Sequence, residues 1–98
     1  MLHSIAIQIL PETLDDEEVI RVVDMVIDYI KSTGLNYYVG PCETAIEGED
    51  IDQLFDVMKN CMIIAGRENP RGVSAFMKAY YRPDGEVLTI EKKVTKHH

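Results

Sequence analysis

The side chains able to do covalent or metal chemistry are few and scattered. His3 is the only histidine before the last two positions, and Cys42 and Cys61 stand 19 residues apart with no Cys-x-x-Cys pair and no histidine beside them. A zinc site needs closely spaced cysteine and histidine ligands, and a nucleophile needs a base within hydrogen-bond reach. Neither pattern is present, so no metal, cofactor or catalytic residue is expected. Two cysteines in a chain this short do not make a disulfide scaffold; they read as small apolar fillers in a reducing compartment. His97 and His98, native or left by a purification tag, carry no functional argument. The four acids Asp15-Asp16-Glu17-Glu18 read as a helix start rather than as a catalytic pair. The six glycines are dispersed, so no phosphate-cradling loop is expected.

Charge narrows the partners. Ten Lys and Arg against 17 Asp and Glu leave a net charge of -7. Nucleic acid and anionic membrane surfaces are polyanions that need a basic footprint, so both are set aside as partners. No apolar run approaches the ~18 residues of a membrane span. The first residues lack the basic and apolar regions of a secretory signal, so a cytoplasmic location is expected. Ninety-eight residues suffice for one domain.

Hydropathy patterning gives the elements. Residues 4–10 alternate Ile with smaller or polar side chains, the signature of a strand with one apolar face, and Pro11 ends it. Asp15 and Glu18 have the spacing of a capping box. Val19, Val22, Val23, Val26, Ile27 and Ile30 follow at helical spacing, and Gly34 closes that helix. Residues 36–39 and 42–47 read as extended, separated by Gly40-Pro41, which suits either a hairpin turn or a bulge. A second helix starts near Glu49 or Asp50 and places Ile51, Leu54, Phe55, Met58, Met62 and Ala65 on one face before stopping at Gly66. Residues 67–71 form a loop and 73–81 a central or edge strand. Pro83-Asp84-Gly85 makes a turn, and a short helix follows Thr89 through Ile90 and Val94. The order strand, helix, two strands, helix, strand predicts an α+β fold, the ferredoxin-like βαββαβ sandwich with both helices on one face of an antiparallel sheet. If Ile5, Ile7 and Ile9 face the helices, then Ala6, Gln8, Leu10 and Phe76 lie on an open face. Leaving that half-apolar face in water is costly, so a homo-oligomer that covers it is expected.

The fold hosts many functions, and absent residues remove several. RNA-binding versions need aromatics with basic neighbours on the sheet, and copper-chaperone versions need a Cys-x-x-Cys loop. The informative stretch is Gly40-Pro41-Cys42-Glu43-Thr44-Ala45-Ile46-Glu47-Gly48-Glu49. It resembles the Gly-Pro-x-x-Thr-x-apolar-Glu-Gly-Glu hallmark of the thiamine-binding, YkoF-like family of small proteins. Ile7-Gln8-Ile9-Leu10-Pro11 resembles that family's opening strand, and Thr89-Ile90-Glu91-Lys92-Lys93-Val94 its terminal Thr-Ile-Glu-x-Lys-Val. The three matches run in register over nearly the whole chain.

This resemblance implies a non-catalytic subunit that forms homodimers or homotetramers and binds thiamine or its hydroxymethylpyrimidine moiety in vitamin uptake, salvage or homeostasis. Such a ligand brings a flat aminopyrimidine and, in thiamine, a cationic thiazolium. It needs an acceptor for the exocyclic amine, partners for the ring nitrogens and a face to stack on. Glu47 could accept from the amine, Gln8 or Thr44 could serve either polarity, and Tyr37 or Tyr38 could stack, with a cation–π contribution to the thiazolium. Each has a plainer reading. Glu47 could be a surface carboxylate ending a strand, and Thr44 a buried hydroxyl satisfied by backbone. Gln8 could be an interface side chain, and one of the tyrosines, which alternate in facing, core. Two rival functions stand beside this one: an assembly module whose oligomer interface is the function, and an enzyme using Glu47 as a general base on a pyrimidine precursor.

Overall fold

The computed structural model describes residues 2–84 and 87–95. The elements run β1 (His3–Pro11), α1 (Asp16–Ser32), β2 (Asn36–Val39), β3 (Thr44–Gly48), α2 (Ile51–Glu68), β4 (Val73–Tyr80) and α3 (Ile90–Thr95). The sheet order is β2-β3-β1-β4 with every pairing antiparallel, which is the ferredoxin-like arrangement. Alternation along β1 sends Ile5, Ile7 and Ile9 into the core. There they meet Val22, Val26 and Ile30 of α1 and Leu54, Val57, Met58, Cys61 and Ala65 of α2. Each fully buried aliphatic side chain contributes about 1.5–3 kcal/mol of transfer free energy, so this interface carries the fold.

The caps explain where the helices begin and end. Asp15 accepts from the Glu17 backbone N–H. Glu18 does not reach back to complete a capping box; its carboxylate takes the Arg21 guanidinium, and Arg21 also reaches Glu68 on α2. The hydrogen bond from Arg21 holds the Glu18 carboxyl below its ordinary pKa. Gly34 takes φ +77°, the left-handed turn that ends α1. Asp50 caps α2 through the N–H groups of Asp52 and Gln53. That helix runs past Gly66 to Glu68, because Gly66 keeps helical backbone and Asn69 supplies the stop.

Two expected core residues of α2 lie outside it. Phe55 and Met62 are 48% and 45% exposed. The buried row is Leu54, Val57, Met58, Cys61 and Ala65. Phe55 and Met62 each follow a member of that row by one residue, a rotation of about 100° around the helix. Cys61 is a core filler as expected, but Cys42 is exposed. Gly40-Pro41 belongs to the turn of a hairpin whose register pairs Val39 with Thr44, so the second strand starts at Thr44 rather than at Cys42. β4 is an edge strand. The turn expected at Pro83-Asp84-Gly85 includes Gly85, outside the described residues.

The face of the sheet away from α1 and α2 is not wholly open. Leu10 and Phe76 remain exposed, but α3 meets β3 at the Glu47 end, with Ile90 buried there. No helix among the described residues is long and apolar enough to cross a membrane.

Candidate functional site

A groove opens where β3 stops short. The β3 register with β1 ends at the pair Thr44 and Ile7, whereas β1 continues beside β4 to Pro11. Beyond Ile7, one edge of β1 is therefore left to the turn 40–43 and to α1. The resulting cavity of about 290 Å³ is lined by Ile7–Leu10, by the β2–β3 turn from Val39 to Thr44, and by Val19, Ile20, Val23, Asp24 and Ile27. Small-molecule sites start near ~300 Å³, so the groove suits one or two small rings better than a nucleotide.

Its walls follow from side-chain periodicity. Val22, Val26 and Ile30 of α1 are fully buried against the sheet. Val19, Val23 and Ile27 form a second row at four-residue spacing and are only partly buried, because there they face the groove instead of a strand. Ile20 and Asp24 follow one step further round the helix. The polar lining among the described residues is Gln8, Asp24, Cys42, Glu43 and Thr44, with no Lys, Arg or His. Glu43 meets Lys78 at 3.1 Å across the exposed sheet face. Asp24 has no side-chain hydrogen bond or ion pair among the described residues. The site is apolar with a negative rim, able to stack a flat ring, hydrogen-bond its edge and attract a cation.

Of the side chains singled out in the sequence, Gln8 and Thr44 come together here and Glu47 and Tyr38 do not. Thr44 is buried on the core face with Ile46, while Gln8 reaches the groove from the other side of β1. Tyr38 lies on the exposed sheet face, paired with Ala45, whereas Tyr37 pairs with Ile46 and packs on the core. Glu47 is only 7% exposed although it points away from the core. Its Oε1 accepts from Asn36 Nδ2 at 2.6 Å, and its Oε2 accepts from the backbone N–H of Ile90 at 2.9 Å. This carboxylate pins the first turn of α3, whose other cap is the Thr89 hydroxyl bonded to the Lys92 N–H.

The hallmark stretch thus divides into positions with different tasks. At Gly40 a Cβ would stand 2.8 Å from the Glu43 carbonyl oxygen, so the turn requires glycine. At Gly48 a Cβ would press on Leu35 Cδ2 at 3.0 Å. Thr44 lines the groove, and Glu47 ties the stretch to the terminal Thr89-Ile90. Sequence reading passed over Asp24 and Glu43, which resemble the other surface acids. One signal was available: Ile20 makes the apolar stripe of α1 wider than packing on a single sheet face requires.

Known proteins share this architecture. The chain is 38% identical over 94 residues to a UPF0045 protein of Clostridium perfringens, covering 96% of this chain and 95% of that one. A solved structure from Streptococcus pneumoniae superposes with a TM-score of 0.81 at 36% identity, covering 97% of this chain and 99% of its own. A proposed thiamine biosynthesis/salvage protein from Thermotoga maritima matches over the full length of both chains at 28% identity, with a TM-score of 0.84. The family model described as thiamine-binding protein matches residues 5–98, so the chain belongs to the thiamine-binding protein family.

Proposed function

We propose that this protein binds thiamine or its hydroxymethylpyrimidine moiety, without catalysing a reaction on it, in vitamin salvage or homeostasis in the cytoplasm. The observation that carries the reading is the composition of the groove. Apolar walls from β1, α1 and Val39 offer a stacking surface, Gln8 and Thr44 offer donor and acceptor groups for the ring edge, and the Glu43 carboxylate suits an exocyclic amine. Glu47, with a bond to each oxygen, holds α3 in this reading, and a ligand amine would have to share it with Asn36 and Ile90. Tyr38 is a contact of the exposed sheet face, where a second subunit could bring it to ligand.

Calorimetric titration with hydroxymethylpyrimidine, with thiamine, and with the thiazole alcohol alone tests this function. Saturable binding of both pyrimidine compounds but not of the thiazole alcohol is expected. Thr44→Val and Gln8→Ala should each weaken binding by about tenfold, the equivalent of one or two hydrogen bonds. Absence of binding at millimolar ligand would overturn the reading.

The exposed Leu10 and Phe76, with the outer edge of β4 unpaired among the described residues, support a homodimer or homotetramer joined through the sheet. Sedimentation showing a monomer at working concentration would remove that element and leave the groove untouched.

A further inference from the structure

We infer that Asp24 makes the groove selective for the charged vitamin, binding a flat organic monocation in preference both to the neutral pyrimidine alone and to phosphate esters. The inference rests on the thiamine reading above and adds to it which form of the ligand the site takes. The lining holds two carboxylates, Asp24 and Glu43, and no basic side chain among the described residues. Their situations differ. Glu43 is already answered by Lys78 at 3.1 Å, whereas Asp24 carries no such partner among the described residues. Asp24 also sits beside Val23, Ile27 and Ile20, whose apolar surface lowers the polarisability around a bound cation and lengthens the reach of the charge. A thiazolium in the groove gains this attraction, an uncharged hydroxymethylpyrimidine does not, and a phosphate ester meets repulsion.

The charged ligand has no reciprocal problem of desolvation. Its charge is delocalised over a ring, so it gives up less hydration than an ammonium would on entering an apolar cleft. Because Asp24 is exposed, the gain stays modest and salt-sensitive.

The test is calorimetry of thiamine, hydroxymethylpyrimidine and thiamine monophosphate on the full chain and on Asp24→Asn, Asp24→Lys, Glu43→Gln and Asp28→Asn. Asp28 lies one helical turn beyond Asp24 and outside the groove lining, so Asp28→Asn makes the same change in net charge without touching the site. Asp24→Asn should weaken thiamine by about fivefold and leave hydroxymethylpyrimidine within about twofold. Asp24→Lys should weaken thiamine further and bring the monophosphate level with it. Glu43→Gln should have the smaller effect, and Asp28→Asn none. The thiamine affinity of the unaltered chain should fall as ionic strength rises from about 0.02 to about 0.3 M, with hydroxymethylpyrimidine unmoved. Equal losses for the two ligands in Asp24→Asn, or an equal loss of thiamine in Asp28→Asn, would overturn the inference while the binding function stands. If neither ligand bound the unaltered chain, the function itself would be overturned.

Discussion

Glu43 and Glu47 sit four residues apart around one strand, and their fates are opposite. Glu43 lies in the turn, lines the groove and keeps a solvent-exposed pairing with Lys78. Glu47 is buried at the other end of the strand with both oxygens committed, one to Asn36 and one to the first N–H of α3. The first region is an exposed rim beside a cleft that it shares with Asp24; in the second the carboxylate holds a helix N-terminus of the same chain. A buried carboxylate needs its hydrogen bonds made, and those that Glu47 accepts tie it to Asn36 and to α3. Burial and charge therefore do not by themselves mark a binding residue. What marks it is polar capacity left over after folding.

The sharpest way to separate exposed from buried chemistry uses the cysteines, one at the groove and one in the core. Cys42 lines the groove, while Cys61 is in the core, where burial pushes its thiol up from 9.0 to about 12. At pH 8 a shift of that size leaves roughly a thousandfold less Cys61 thiolate, the reactive form. Alkylation of the native protein should modify Cys42 alone, and saturating thiamine should slow it. Labelling of both thiols at equal rates would show that the core opens locally. The same shift makes stability pH-dependent in the alkaline range. The folded thiol binds its proton more tightly than the unfolded one, so this contribution is complete below about pH 9 and is lost progressively as pH rises towards 12.

Substitution of the two glutamates should differ next most. Glu47→Ala removes the acceptor for Ile90 and Asn36 and should cost about 2 kcal/mol in urea unfolding, with faster proteolysis of the segment after β4. Glu43→Ala should change stability by less than about 0.5 kcal/mol, as for other exposed ion pairs. If the two variants unfolded alike, the division between a buried, clasping carboxylate and an exposed, ion-paired one would fail. Between these, Gly40→Ala drives a methyl group to 2.8 Å from the Glu43 carbonyl oxygen. A cost of about 1 kcal/mol is expected, together with a lowered ligand affinity, since the turn must shift and carries one wall of the groove. Unchanged binding in Gly40→Ala would place recognition away from that turn.

Much of this architecture was legible in the sequence because it depends on period. The alternation of Ile5, Ile7 and Ile9 and the four-residue spacing of Val22, Val26 and Ile30 each assign a face without knowledge of the partner. Phe55 and Met62 were misplaced because a helix with apolar residues around much of its circumference does not announce which side meets the sheet. The candidate site was half legible. Gln8 and Thr44 lie in the groove, whereas Glu47 resembled them in the motif and turned out to be a clasp for α3. Asp24 was unreadable, since an acid on an acidic helix gains meaning only from the cleft beside it.

The sequence by itself determined the order of elements, the core-facing residues of β1 and α1, the family and the acidic charge balance, because periodicity and local motif chemistry are written along the chain. The tertiary structure decided which glutamate is buried beneath α3 and which lines the groove, and that Ile20 and Asp24 share a cleft with Gln8 and Thr44. It also decided that α3 covers one end of an otherwise exposed sheet face. These outcomes depend on the early end of β3 and on where a distant helix N-terminus lands, and a hydrogen bond between residues 47 and 90 has no local signature.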